Sequence, residues 1–326
     1  MHDNRALSCI AEPANPPNSA LVVQAIAPEL RDDIEGAYSL NTARAYRADW
    51  RDWCAWCERS GVIPTPAAPR AVRDYLVDLA AGKKVSTLRR RLAAIARAHK
   101  IAGYQFDRSD PVIQHAMRRL ARELGTAPKG RDALMTADLV GLLKLVPNTL
   151  RGTRDRAILL IVFAGGLRRS EAVDLNINDL EWRRDGIAVH LRKSKTDQAG
   201  AGELVLVEYG KRESTCPVRA LKAWLAGAKV ESGAIFRLVT GATALPDAVS
   251  DQLVWRLIKR YGARAGLDVT MLGAHSLRAG HVTQALENGA ELAKVKEQLR
   301  HRRLETTLGY NRGRSFKGNS SGKLDL

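Results

Sequence analysis

The stretch GTAPKGRDAL at 125–134 divides the chain into halves that follow different rules. Gly, Pro and charge in close succession give no regular period and little to bury, so the segment reads as an exposed linker, cut at about 128. Before it, apolar residues recur at helical spacing. Tyr46, Trp50, Trp53 and Cys57 share one face of a helix over 41–58. Val72, Tyr75, Leu76 and Leu79 do the same over 69–81, and Leu88, Leu92 and Ile95 over 87–99, where Ser86 is the expected N-cap. Asp110 followed by Pro111 marks the start of a fourth helix. Residues 1–33 carry no sustained period and read as a flexible tail. This half is therefore an all-α bundle over 34–127.

Beyond the linker, over 128–326, the pattern is mixed. Helices are expected at 136–146, 153–164, 216–227, 250–265, 276–288 and 291–300. GIAVHLRK (186–193) alternates as a half-buried strand and ELVLVE (203–208) is its partner, joined by the polar, Gly-containing stretch SKTDQAGAG. The fold class is mainly α with a small antiparallel β-sheet: an all-α N-terminal bundle followed by an α+β domain.

A formal charge of +17 points to a polyanion, with nucleic acid the leading candidate and a membrane surface the weaker one. The longest apolar run, AILLIVFAGG at 157–166, is too short to span a bilayer, and the N-terminus has no cationic segment leading into an apolar one, so the reading is cytoplasmic. Arg89, Arg90, Arg91 and Arg97 on the third helix, with Arg118 and Arg119 on the fourth, have no acidic run to balance them and are candidate DNA-binding residues. The pair Cys54 and Cys57 in WCAWC has a redox-like spacing but lies on a helical face with no strand before it, so both are read as packing residues. No second CxxC or CxxH completes a zinc site, no close Asp/Glu run suggests two metals, and no GK[ST] loop suggests ATP use.

Four separated pieces of the second half carry groups of one kind. GGLRRSEAVDL contains Arg168 and Glu171, KSKTD contains Lys195, HSLR spaces His275 and Arg278 by one helical turn, and LRHRRLETTLGY sets Tyr310 nine residues after His301. In this order and spacing the set resembles the tyrosine recombinases, the phage-integrase family that includes Cre and Xer proteins. The likeness extends to TARAYRADWRDWCAWC and STLRRRLAAIARAH, which resemble the family's helical core-binding, DNA-clamping domain, and so covers roughly 35–312. Two positions depart from the pattern: Arg300 stands where a glycine commonly precedes the second histidine, and Arg169 where an apolar residue is usual.

The resemblance implies site-specific recombination of double-stranded DNA through a covalent 3′-phosphotyrosine, without metal or ATP. It implies a C-shaped clamp, a homo-tetramer on paired sites and nucleoid association, with an accessory DNA-bending protein as a further partner of the class. Residue chemistry supports the same roles. A phenol can store a phosphoester, and nearby positive charge favours its phenolate, which makes Tyr310 the nucleophile. The planar forks of Arg168 and Arg278 suit nonbridging phosphate oxygens and a charge that grows in the transition state. Lys195 can release a proton and is the expected general acid for the 5′ oxygen. His275 takes or positions the phenol proton, His301 adds a phosphate hydrogen bond, and Glu171 orients an arginine. His99, His115, His190 and His281 are read as structural or surface residues. A cleaving and resealing enzyme of the type IB topoisomerase or hairpin-forming resolvase kind is the nearest alternative, and a binding-only DNA-architectural protein the next.

A basic clamp binds through counterion release, so affinity for duplex DNA should fall on the order of a thousandfold between about 50 and 200 mM salt if six or more phosphates are neutralised. A flat response in fluorescence anisotropy titrations would contradict this reading.

Overall fold

The structure, a computed structural model, describes residues 40–126, 132–192 and 202–309. The chain forms two compact units, residues 1–128 and 129–326. In the first, four helices pack together: α1 (Leu40–Ser60), α2 (Pro69–Ala80), α3 (Val85–Ile101) and α4 (Pro111–Leu124). The face anticipated on α1 is the buried one, since Trp50, Trp53 and Cys57 are each 3% exposed or less. Trp53 stacks on Trp56 with centroids 5.6 Å apart and meets Tyr75 of α2 edge-on at 5.0 Å. Its indole N–H donates to the Pro64 carbonyl at 3.0 Å, so the large ring is buried without losing its polar partner. Cys54 and Cys57 are free thiols that burial pushes up to about 12, which fits packing residues rather than a reactive pair.

Asp110 caps α4 through the Val112 N–H at 2.8 Å, and Pro111 takes the first helical position. The expected cap at Ser86 is not used. The helix already begins at Val85, with Lys84 at the cap position and no side-chain cap, so Ser86 lies inside the first turn. His99 is the hinge pin of this unit. Its Nδ1–H donates to Ile95 O and its Nε2 accepts from the Ala67 N–H, both at 2.8 Å, tying the 61–68 connection to α3.

The second unit is built around α6 (Leu150–Ala164), in which residues 157–162 are all 4% exposed or less. The apolar run that is too short for a membrane is thus a helix surrounded by protein on every side. It is joined by α5 (Thr136–Lys144), α7 (Arg169–Val173), α8 (Pro217–Gly227), α9 (Gln252–Arg264), α10 (Ser276–Glu287), α11 (Leu292–Leu299) and α12 (Leu304–Leu308). The sheet contains three antiparallel strands in the order β1 (Leu180–Arg183), β2 (Gly186–Leu191) and β3 (Glu203–Glu208). Ile187, Val189 and Leu191 face the core with Val205 and Val207, as the alternation requires. Two features differ from expectation. β1 adds a strand that pairs with β2, and a separate hairpin, β4 (Arg237–Thr240) with β5 (Thr243–Ala248), makes a second small sheet. The loop between β2 and β3 lies outside the described residues.

Helix α10 can approach the chain at Leu134 only because residue 280 is glycine. A Cβ there would lie 1.8 Å from the Leu134 carbonyl oxygen, while Leu134 N donates to Ser276 O at 2.9 Å. This close approach sets the depth of the helix that carries Arg278.

Burial lowers the His99 pKa below its ordinary 6.5. A base whose folded pKa is depressed contributes stability above the unfolded value and loses it as pH falls below about 6.5, because the unfolded chain binds the proton first. The Ala67 amide should therefore exchange faster relative to its neighbours as pH drops from 7 to 5. Exchange at Ala67 that tracks intrinsic chemistry over that range would show that the histidine bond does not hold the connection.

Candidate active site

The second glycine of GGLRR begins the site. Gly166 takes a φ of +55°, and a Cβ on it would lie 2.6 Å from Leu299 Cδ2, so a side chain there would be strained and would displace Leu299. The chain then extends through Arg168, the N-cap of α7, whose backbone N–H donates to Glu171 Oε2 at 2.7 Å. Glu171 Oε1 accepts from Arg168 Nη1 at 2.5 Å. The arginine side chain is 15% exposed and the carboxylate 3%. The i, i+3 spacing thus places one carboxylate under the arginine's backbone and its head together.

Arg278 enters from the first turn of α10. It is 1% exposed, and its guanidinium donates to the carbonyls of Gly166 and Leu299 and to His301 Nε2, the last at 2.9 Å. An arginine has only donors, so Nε2 of His301 must be the acceptor. Its proton is then on Nδ1, which donates to Thr307 Oγ1 at 2.8 Å. Burial, followed by Arg278, Arg168 and Arg300, pushes the His301 pKa down to about 4, with Glu171 opposing. Three guanidinium groups therefore act on one neutral imidazole, with one nearby carboxylate in opposition. Held this way, His301 orients Arg278; the phosphate hydrogen bond expected of it is not available from Nε2 while that nitrogen accepts. Thr307 had no role in the sequence reading, and its place in LETTLGY, six residues after the histidine, was the only available sign.

His275 stands at the N-cap position of α10 without a side-chain cap bond and is exposed. Glu171, expected to orient an arginine, holds two: besides Arg168, its Oε2 accepts from Arg300 Nη2 at 2.6 Å. Burial works against the Glu171 charge, but Arg300 and then Arg168 outweigh it and hold the carboxyl below the usual range. Arg169 points elsewhere, pairing with Asp251 at 3.0 Å. Lys195 and Tyr310 lie outside the described residues. Among the described residues, no cluster of three or more His, Cys, Asp or Glu could hold a metal ion.

In the first unit the six candidate arginines are not equivalent. Arg89 and Arg118 are exposed. Arg91, with its side chain 11% exposed, is bound to Asp49 at 3.1 Å and Asp52 at 2.9 Å, and Arg90 pairs with Asp49 at 2.7 Å. These two brace α3 against α1. Arg119 faces Glu123 at 3.7 Å on an open surface. Arg97 lines a cavity of about 530 Å³ with Tyr46, Lys100, Tyr104 and Arg108, a basic and aromatic lining in which the sequence reading had singled out Arg97 alone.

The catalytic-domain description of the phage integrase family matches residues 133–315, and that of the phage integrase N-terminal SAM-like domain matches 33–103. The chain belongs to the phage integrase family, the enzymes that cleave and rejoin DNA in site-specific recombination. It is 34% identical over 297 residues to an integrase/recombinase XerD homologue of Selenomonas ruminantium, covering 89% of this chain and 87% of that one. Over 283 residues it is 26% identical to the tyrosine recombinase XerD of Staphylococcus epidermidis, covering 85% and 89%. Two solved structures share the fold. XerH bound to a palindromic difH substrate after cleavage gives a TM-score of 0.66 at 16% identity, over 94% of this chain and 84% of that one. The Tn1549 transposon integrase with a circular intermediate DNA gives 0.63 at 15% identity, over 94% and 99%.

With its pKa near 4, the His301 ring should stay in the Nδ1–H form from pH 8 down to about 5. ¹⁵N chemical shifts of ring-labelled histidine check this, and a ring that titrates near 6.5 would contradict the Arg278–His301–Thr307 chain.

Proposed function

We propose that this protein recombines double-stranded DNA at specific sites, with Tyr310 as the nucleophile. The Tyr310 phenolate oxygen bonds to the scissile phosphorus and the 5′ oxygen leaves, taking a proton from Lys195. The phosphoester is kept as a 3′-phosphotyrosine until the incoming 5′ hydroxyl reverses the step. Arg168 and Arg278 hold the nonbridging oxygens, where charge grows in the transition state. His275 receives the phenol proton. His301 aligns Arg278 through Nε2, and Glu171 aligns Arg168.

The observation that carries this reading is the convergence of Arg168, Arg278 and Arg300 on His301 with Glu171 as the close counter-charge. Cations gathered out of water with too few carboxylates make a strong anion site. The phosphate of DNA is the anion that family membership supplies. We assign the first unit to the DNA duplex, with Arg89, Arg118, Arg119 and the Arg97 cavity as phosphate contacts. Arg90 and Arg91 contribute less, because Asp49 and Asp52 already occupy them. By resemblance, four copies act on two paired sites at the nucleoid, as part of a mobile element or a resolution system.

Cells expressing the protein should yield DNA that stays attached after denaturation, at discrete sequences, and Tyr310→Phe should remove every adduct. Arg278→Lys should keep DNA affinity within about threefold and lose cleavage on the order of a hundredfold or more, since a lysine cannot reproduce the fork that spans Gly166, Leu299 and His301. Adducts that persist in Tyr310→Phe would move the nucleophile elsewhere. Absence of adducts from the parent chain on nicked trapping duplexes would favour a binding-only protein.

A further inference from the structure

Arg300 follows the last residue of α11 with φ 57° and ψ 44°, the left-handed conformation that favours glycine and strains an L side chain. Its side chain is nonetheless 3% exposed, and burial pulls its pKa down. Neither the backbone nor solvation favours an arginine here, so the contacts of its head must explain it. Two of them are hydrogen bonds and one an ion pair: Nη1 donates to Gln298 O at 2.8 Å, Nη2 donates to Glu171 Oε2 at 2.6 Å, and Nε lies 3.3 Å from Glu203 Oε2 without hydrogen-bond geometry.

The two carboxylates belong to different parts of the site. Glu171 binds the backbone and head of Arg168 and is thereby held from both sides by arginines. Glu203 opens β3 and pairs across the sheet with Leu191, the last residue of β2, so it stands at the base of the hairpin whose loop includes Lys195. A second contact fastens the same helix end to the same strand, from Gln298 Nε2 to Leu206 O at 2.8 Å. His301, the partner of Arg278, is the next residue in the chain.

We infer that Arg300 is a positioning residue for DNA cleavage: through Glu171 it aims Arg168, and through Glu203 it fixes the base of the lysine-bearing hairpin relative to His301. Its role is to hold the two carboxylates, since its side chain is 3% exposed and its head faces Gln298, Glu171 and Glu203. A glycine at 300 would relax the backbone and leave Glu171 with one guanidinium, free to turn. This inference rests on the recombinase reading for its effect on rate, but the ordering of Arg168 does not.

The test uses the full chain on a nicked duplex carrying the sequence recovered from covalent adducts, with Arg300→Gly, Arg300→Lys, Glu171→Gln and the double variant Arg300→Gly/Glu171→Gln. Single-turnover adduct formation, DNA affinity and Tm are measured for each. Arg300→Gly should keep its affinity within threefold and its Tm within a few degrees, and lose at least tenfold in adduct rate. Arg300→Lys should recover part of that loss, because an ammonium can still reach one carboxylate. The double variant should lose clearly less than the product of the two single losses, as expected when part of the Arg300 effect runs through Glu171. Cleavage by Arg300→Gly at the parent rate, or losses that multiply in the double variant, would overturn the proposal. Should Arg300→Gly fail to fold, equal rates for Arg300→Lys and the parent would overturn it as well. The side-chain ¹⁵N–¹H signals of Arg168 give an answer without DNA: in the parent they should exchange slowly, and in the Arg300 variants fast. If the parent forms no adduct, the recombinase reading fails, and these signals still decide whether Arg300 orders Arg168.

Discussion

The site depends on one carboxylate shared by two arginines. Glu171 accepts from Arg168 on one side and Arg300 on the other, with its own side chain 3% exposed. Removing guanidinium groups from water is expensive, and like charges packed together repel, so a cluster of this kind requires counter-charge placed with little slack. Glu171 supplies enough to hold the arginines in position but leaves the local balance positive. Burial and then that imbalance lower the His301 pKa, and a site left positive in this way suits an anion.

The other constraint is steric. Arg278 reaches the Gly166 carbonyl because Gly166 has a left-handed backbone and no side chain to meet Leu299. α10 lies deep enough to present Arg278 because Gly280 lets it touch the Leu134 carbonyl. The guanidinium is then flanked by backbone carbonyls and by an imidazole that accepts from it at Nε2 and donates from Nδ1 to Thr307, so its orientation is settled by neighbours that cannot easily move. Precision of this order matters for transition-state stabilisation, where a displacement of about an ångström can cost a hundredfold in rate.

Much of the architecture is visible in linear order. The helical period of α1 to α4 and the alternation of β2 and β3 report which face is wet, and burial follows them. The elements that escaped notice are those without a period. β1 is four residues, LEWR, mostly exposed, and β5 contains Pro246 and no alternating apolar face; both form because a neighbouring strand offers hydrogen bonds. Ser86 has the right chemistry for a cap, but α3 starts two residues before the expected 87, at Val85, which is buried.

By itself the sequence determined the types of most elements and named the candidate reactive side chains, because periodicity and motif spacing are local properties. Tertiary structure decided how those side chains are used. That Arg91 is held by Asp49 and Asp52 while Arg89 remains exposed, that His301 accepts rather than donates at Nε2, and that Arg300 serves Glu171 from 129 residues away all depend on contacts across the fold. Protonation, tautomer and ion pairing are set by burial and by partners distant in the chain, and linear spacing carries no record of either.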